Sequence, residues 1–366
     1  MIVEKLRAGW AARAERERPS ANPTGSRWGS CTAQLEQLAF PELTKPEVPQ
    51  PRRQAVFEVG NVLAEWMAGK IAQAHPGVWG LREQPFYLPV PVEDRAALDL
   101  IRSRLRPHAP VRGHPDACCW TRTMFYGWPI DEFAPPKLEY LGNGLEGRLR
   151  FRARGITPLL ERDNQGRPLT PSEYHPSVIL DAARSLVYLV TYIDGMILHD
   201  EHGLTLVEQK TMSNFAFRRA LLGEIEYRYQ CQLIGTLKAL EPSGVRSALW
   251  LMHRKETQHF LEIGFVKQLE GGTRVTFTAP SGLQETFHVS GATALVPLAG
   301  GGPVEIPLDE AWEIASLWTP YEAMESVLAS IYARVIRVLT ADSERGWARE
   351  YGPDFSCRRC AGAGRL

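Results

Sequence analysis

From Leu186 onward, apolar and polar positions alternate in blocks that separate strands from helices. "LVYLVTYIDGMIL" predicts a strand, "HDEHG" a turn and "LTLVEQKT" a second strand. "NFAFRRALLGEIEYRYQCQLIGTLKAL" is helical in character, with an interruption near Gly223. "SALWLMHRK" and "HFLEIGFV" predict a strand pair, and "TRVTFTAPSGLQETFHVSG" a hairpin. "LDEAWEIASLWTPYEAMESVLASIYARVIRVLTADS" predicts a long helical region. Upstream, residues 1–20 predict a charged helix, followed by the loop "PSANPTGS". A further helix is expected from Arg27 to about Phe40, where "PELTKPEVPQP" breaks it. "RRQAVFEVGNVLAEWMAGKIAQAHP" repeats apolar positions three and four apart, which predicts another helix. "EQPFYLPVPV" reads as extended chain, and residues 100–180, rich in Pro, Gly and Arg, read as an elaboration on the core. No internal repeat or low-complexity tract interrupts the pattern. Strands and helices mixed in this way predict an α/β chain of α+β character.

Composition narrows the class. The 366 residues are 44% hydrophobic and 23% charged, with no apolar run near the eighteen of a membrane-spanning helix. The first twenty residues alternate in charge and lack the apolar stretch of a signal peptide, so a cytoplasmic, intracellular protein with no membrane partner is expected. Lys+Arg and Asp+Glu are equal at 42 each. No global basic field advertises nucleic acid, although a local groove can still grip a phosphate backbone. Six cysteines are too sparse for a disulfide scaffold and are expected to pack or to bind metal.

One stretch concentrates the chemistry. In "YIDGMILHDEHGLTLVEQKTM", Asp194 and Glu208 sit inside apolar runs, where a carboxylate is costly unless something compensates it. Glu208 and Lys210 are two apart on the expected strand, so they share a face, and one turn brings Asp194 alongside. Two converging carboxylates form a hard-oxygen site suited to Mg²⁺ or Mn²⁺. Beside it, Lys210 can orient or deprotonate a water and stabilise charge on a phosphoryl group. Taken alone, a structural salt-bridged hairpin and a metal site stand level. On the following helix, "YRYQCQ" places Tyr227, Gln230 and Gln232 where amides and a phenol can reach back toward the site.

Together these motifs resemble the PD-(D/E)XK nuclease superfamily, in its RecB-like and lambda-exonuclease-like branch. "IDG" and "VEQKT" are similar to the family's Asp-Gly and Glu-x-Lys-Thr core, "YRYQCQ" to its Tyr-x-x-Gln-x-Gln helix, and "SALWLMHRKET" to the strand that follows. The resemblance implies a central mixed β-sheet flanked by helices, the restriction-endonuclease-like core. It implies Asp194 and Glu208 as metal ligands, Lys210 as the catalytic lysine, and Gln230 as a supporting amide, with Tyr227 toward DNA. Upstream, "SRWGSC" resembles a helix opening in which Ser26 and Arg27 contact a DNA phosphate. "FEVGNVLAEWM" resembles the family's Phe-x-x-Gly-x-x-x-His helix, with one departure. Ala64 stands where the family carries a His or Glu ligand, and Glu65, about 100° further around an ideal helix, is the candidate substitute ligand, with an exposed helix carboxylate as the other reading.

Cys31 before the core, with Cys357 and Cys360 after it, resembles the staple of the iron–sulfur, CRISPR-associated RecB-like nucleases. There four thiolates hold a [4Fe–4S] cluster. The fourth cysteine of that set falls where this chain has Leu366, so the fourth ligand is open, and Zn²⁺ is the other option. Cys118 and Cys119 are a conceivable source, and Cys231 is expected in the core. The expected organisation is an N-terminal helix and linker over residues 1–25. A single nuclease domain over 26–366 follows, with an insertion at about 100–185 and a cysteine-containing tail. The expected activity is Mg²⁺/Mn²⁺-dependent hydrolysis of DNA phosphodiesters, exonucleolytic by resemblance, in end-processing for recombination, repair or phage replication beside partner proteins of those processes. The alternative is a catalytically weakened subunit that keeps the fold and binds DNA.

Overall fold

The computed structural model describes residues 51–74, 85–104, short strands between 110 and 154, residues 178–221, most of 225–289, and 314–320 and 325–340. In chain order these form α1 (Pro51–Ala74), β1 (Pro85–Pro91), α2 (Arg95–Arg104), β2 (Pro110–Val111), β3 (His114–Cys118), β4 (Gly127–Ile130), β5 (Lys137–Asn143) and β6 (Leu149–Arg154). Then come β7 (Val178–Asp181), β8 (Leu186–Tyr192), β9 (Gly195–His199), β10 (Gly203–Met212), α3 (Asn214–Leu221) and α4 (Tyr227–Leu240). The last elements are β11 (Ser247–Arg254), β12 (Phe260–Val266), β13 (Thr273–Thr278), β14 (Gln284–Val289), β15 (Ile314–Pro320) and α5 (Glu325–Thr340).

The strands make a seven-stranded mixed sheet, ordered β14-β13-β15-β12-β11-β10-β9, and a four-stranded sheet, ordered β1-β8-β7-β4, with β2-β3 and β5-β6 as separate pairs. β10 and β11 run parallel, so the chain between them must cross over, and α3 and α4 make that crossing. The expected mixed sheet with packed helices is therefore present. Both faces of β10 are buried, with Leu206 in the main core and Val207 in a second cluster with Leu249, Val266 and Trp318. The main core runs from β1 (Phe86, Leu88, Val90) through β8 and β11 to the apolar stripe of α5 (Val327, Ile331, Val335, Val338). α4 packs against β1, β8, β11 and α5. Among the described residues no helix is long and apolar enough to cross a membrane.

Three expectations need correction. The single strand read from "LVYLVTYIDGMIL" is broken at Ile193–Asp194 into β8 and β9, which belong to different sheets. Asp is a poor strand residue, and its carboxylate finds a backbone partner elsewhere, as described below. The long helical region contains a strand, β15, paired parallel to β12 and antiparallel to β13; among its described residues the helical part is Glu325–Thr340. The core also extends into the expected insertion. Ile101 of α2 is fully buried, β7 is a buried strand against β8, and β4 pairs with β7 in the same sheet, so parts of residues 100–185 belong to the core elements. The expected helices at 1–20 and 27–40, together with Ser26, Arg27, Cys31, Cys357 and Cys360, lie outside the described residues.

Candidate metal centre

β9 covers only the first half of β10, and the register ends at the pair Val207–Gly195. From Glu208 onward β10 pairs with β11 on one side and, among the described residues, with no strand on the other, which leaves a notch in the ladder where the chain departs at Asp194 toward β8. Asp194 occupies that notch. Its Oδ2 accepts the Gln209 backbone N–H at 2.8 Å, standing in for the carbonyl that a continuing strand would have supplied.

Glu208 and Lys210 point to the face of β10 that carries the main core, under α4. Glu208 is 1% exposed, and its Oε1 accepts from both the Lys210 ammonium and the Gln232 amide. Burial, with the Asp194 carboxylate adding to it, pushes the Glu208 carboxyl up to about 8 against the opposing pull of Lys210. Burial would lower the Lys210 pKa, but Glu208 and Asp194 outweigh it and the ammonium is raised above its ordinary value. The Asp194 carboxylate is near enough to Glu208 to add to the rise of its pKa. One oxygen of each is held by protein donors, which leaves Glu208 Oε2 and Asp194 Oδ1 for another partner. Crowded hard oxygens, one of them retaining its proton to near pH 8, are the donor set that a divalent cation relieves.

α4 lies over the notch and is pinned to both of its sides. Thr236 hydrogen-bonds Thr191 of β8 at 2.8 Å, Gln232 donates to Glu208 of β10, and the Tyr229 ring lies 5.3 Å from the Lys210 ammonium. Residues 229, 232 and 236 are three and seven apart, so they form one stripe of the helix. Gln230 and Tyr227 fall off that stripe, and both require correction. The Gln230 amide donates to the Ile225 carbonyl at 3.1 Å, and its Oε1 is buried without a partner. Tyr227 faces α5, with the Arg334 guanidinium 5.0 Å from its ring, and burial raises its pKa. The sequence "YRYQCQ" contains two overlapping Tyr-x-x-Gln frames. The second, Tyr229 and Gln232, meets the strand.

The upstream helix to which the resemblance assigns a ligand is also described. Gly60 of α1 lies beside the end of β10, with Thr211 Oγ1 3.8 Å from where a Cβ would stand. Ala64, half-buried, is one turn along the same face, and Glu65 is exposed. Among the described residues no three His, Cys, Asp or Glu side chains gather, so Asp194 and Glu208 stand as a pair without Glu65. Cys231 is fully buried, and burial pushes its thiol up to about 11, as expected of a core cysteine. His199 and His202 stack on each other at 4.7 Å and meet Trp318 edge-on and tilted respectively, with His199 Nδ1 accepting two backbone N–H groups of their turn. Comparison with family models, curated proteins and solved structures returns no match.

Proposed function

We propose that the protein is a divalent-metal-dependent deoxyribonuclease with a restriction-endonuclease-like core, acting in the cytoplasm on DNA ends. The observation that carries this reading is the convergence of Asp194, Glu208 and Lys210 in the notch where β9 leaves β10. Asp194 and Glu208 would hold Mg²⁺ or Mn²⁺, which supplies Lewis acidity to a phosphate and to an attacking water. Gln232 and Lys210 hold the Glu208 carboxylate in place, and Gln209 holds that of Asp194. Lys210, charged and one-fifth exposed, offers its remaining N–H groups to a phosphate oxygen or to the nucleophilic water. The test is degradation of end-labelled linear DNA with Mn²⁺ or Mg²⁺. Activity should require the ion and fall at least about 100-fold in Asp194→Ala and Lys210→Ala. Intact DNA with the wild-type protein and Mn²⁺ would overturn the reading.

One observation favours a second reading, a DNA-binding subunit of reduced turnover. Ala64 offers no ligand, and Glu65 points to solvent. On that reading the wild-type protein binds DNA without cutting it, and Ala64→Glu, which adds a carboxylate, confers measurable Mn²⁺-dependent cleavage.

A further inference from the structure

α3 follows the site strand after a single residue, Ser213, and its two faces differ sharply. Phe217, Ala220 and Leu221 are buried against β10 and β11. The opposite face carries Phe215, Arg218 and Arg219 at positions three and four apart. Phe215 is 72% exposed, the most exposed large apolar side chain among the described residues. The Arg219 guanidinium lies 5.8 Å from its ring, Arg218 is exposed and forms no ion pair among the described residues, and the helix has no acidic residue. Burying Phe215 would have been the favourable use of such a ring, yet the fold turns it outward with two cations beside it.

We infer that this face of α3 is a platform for single-stranded DNA, on which a base stacks on Phe215, beside the Arg219 guanidinium, while Arg218 takes a neighbouring phosphate. An aromatic ring flanked by guanidinium groups is what unstacked bases and their backbone require, and every base has a face to offer it. A paired duplex does not present its base faces, so the platform selects single strands or frayed ends. Phe215 is five residues beyond Lys210, which places their backbones within about 17 Å of one another. A strand seated on α3 therefore reaches the notch. The inference rests on the nuclease reading for its biological sense and takes its test from binding alone.

The experiment is fluorescence anisotropy with a labelled single-stranded oligonucleotide, the matched duplex and an abasic strand of equal length, all in EDTA so that cleavage plays no part. Phe215→Ala should weaken single-strand binding about ten-fold, leave duplex and abasic binding within about two-fold, and regain affinity as Phe215→Trp. Arg218→Ala should weaken binding to every strand and reduce the salt dependence by about one counterion. Undetectable single-strand binding by the wild-type protein, or a Phe215→Ala protein that binds it equally well or loses duplex and abasic binding to the same degree, overturns the platform. Absence of Mn²⁺-dependent degradation alongside the expected binding losses would remove the nuclease reading and leave the platform standing.

Discussion

The Asp194 carboxylate accepts the backbone N–H of Gln209 at 2.8 Å, so one candidate ligand doubles as the cap of the strand that carries the other. The two roles separate by substitution. Asp194→Asn keeps an oxygen for the N–H and removes the charge, so melting should stay near that of the wild type while metal-dependent degradation is lost. Asp194→Ala also strips the cap and should cost about 1–3 kcal/mol in denaturant unfolding.

Glu208 sets the pH response of the metal-free protein. Its carboxyl is raised from the ordinary 4.5 to about 8 in the fold, so the native state holds an extra proton between those values. Stability from this group is therefore complete below about pH 4.5 and falls as pH rises toward 8. Lys210 has its pKa raised too; its contribution is present below the ordinary 10.5 and is lost only above the neutral range. Melting temperature followed from pH 5 to 8 in EDTA should decline, and Glu208→Gln should flatten the decline. On the proposed reading Mn²⁺ would displace the same proton, so its affinity should rise across this window, with proton release measurable by calorimetry in buffers of different ionisation enthalpy.

Gln232 and Gln230 give opposite phenotypes. Gln232→Leu removes a donor from the Glu208 carboxylate and should lower turnover about 10- to 100-fold. Gln230→Leu removes the amide that donates to the Ile225 carbonyl and should lower the melting temperature while degradation is retained. Equal loss of activity in both would place the supporting amide wrongly.

Gly264 tests the sheet away from the site. It pairs with Trp318 across β12 and β15, and a methyl group on it would run into the indole ring. Trp318 is 3% exposed and packs with Val207, Leu249 and Val266. Gly264→Ala should cost on the order of 1–3 kcal/mol, read by chemical denaturation.

Local pattern made the site strand legible. Glu208 and Lys210 share a face by alternation alone, and the β11–β12 pair and the β13–β14 hairpin follow from period-two stretches bounded by turn residues. What escaped was decided by distant partners. Ile314–Pro320 sits in a run of helix formers and becomes a strand because β12 and β13 are there to pair with it. The break at Asp194 depends on a backbone N–H fifteen residues away. The frame of "YRYQCQ" depends on how α4 is rotated over β10, which one chain segment does not encode.

The break at Ile193–Asp194 has a mechanical consequence. Asp194 ends the path of the four-stranded sheet, while Glu208 belongs to the seven-stranded one. Whatever ligates both carboxylates ties together two sheets that already share a core and the α4 contacts, so part of its affinity reappears as cohesion of the whole molecule. Saturating Mn²⁺ should therefore slow amide exchange in β8 and β10 alike, far beyond the two ligands themselves.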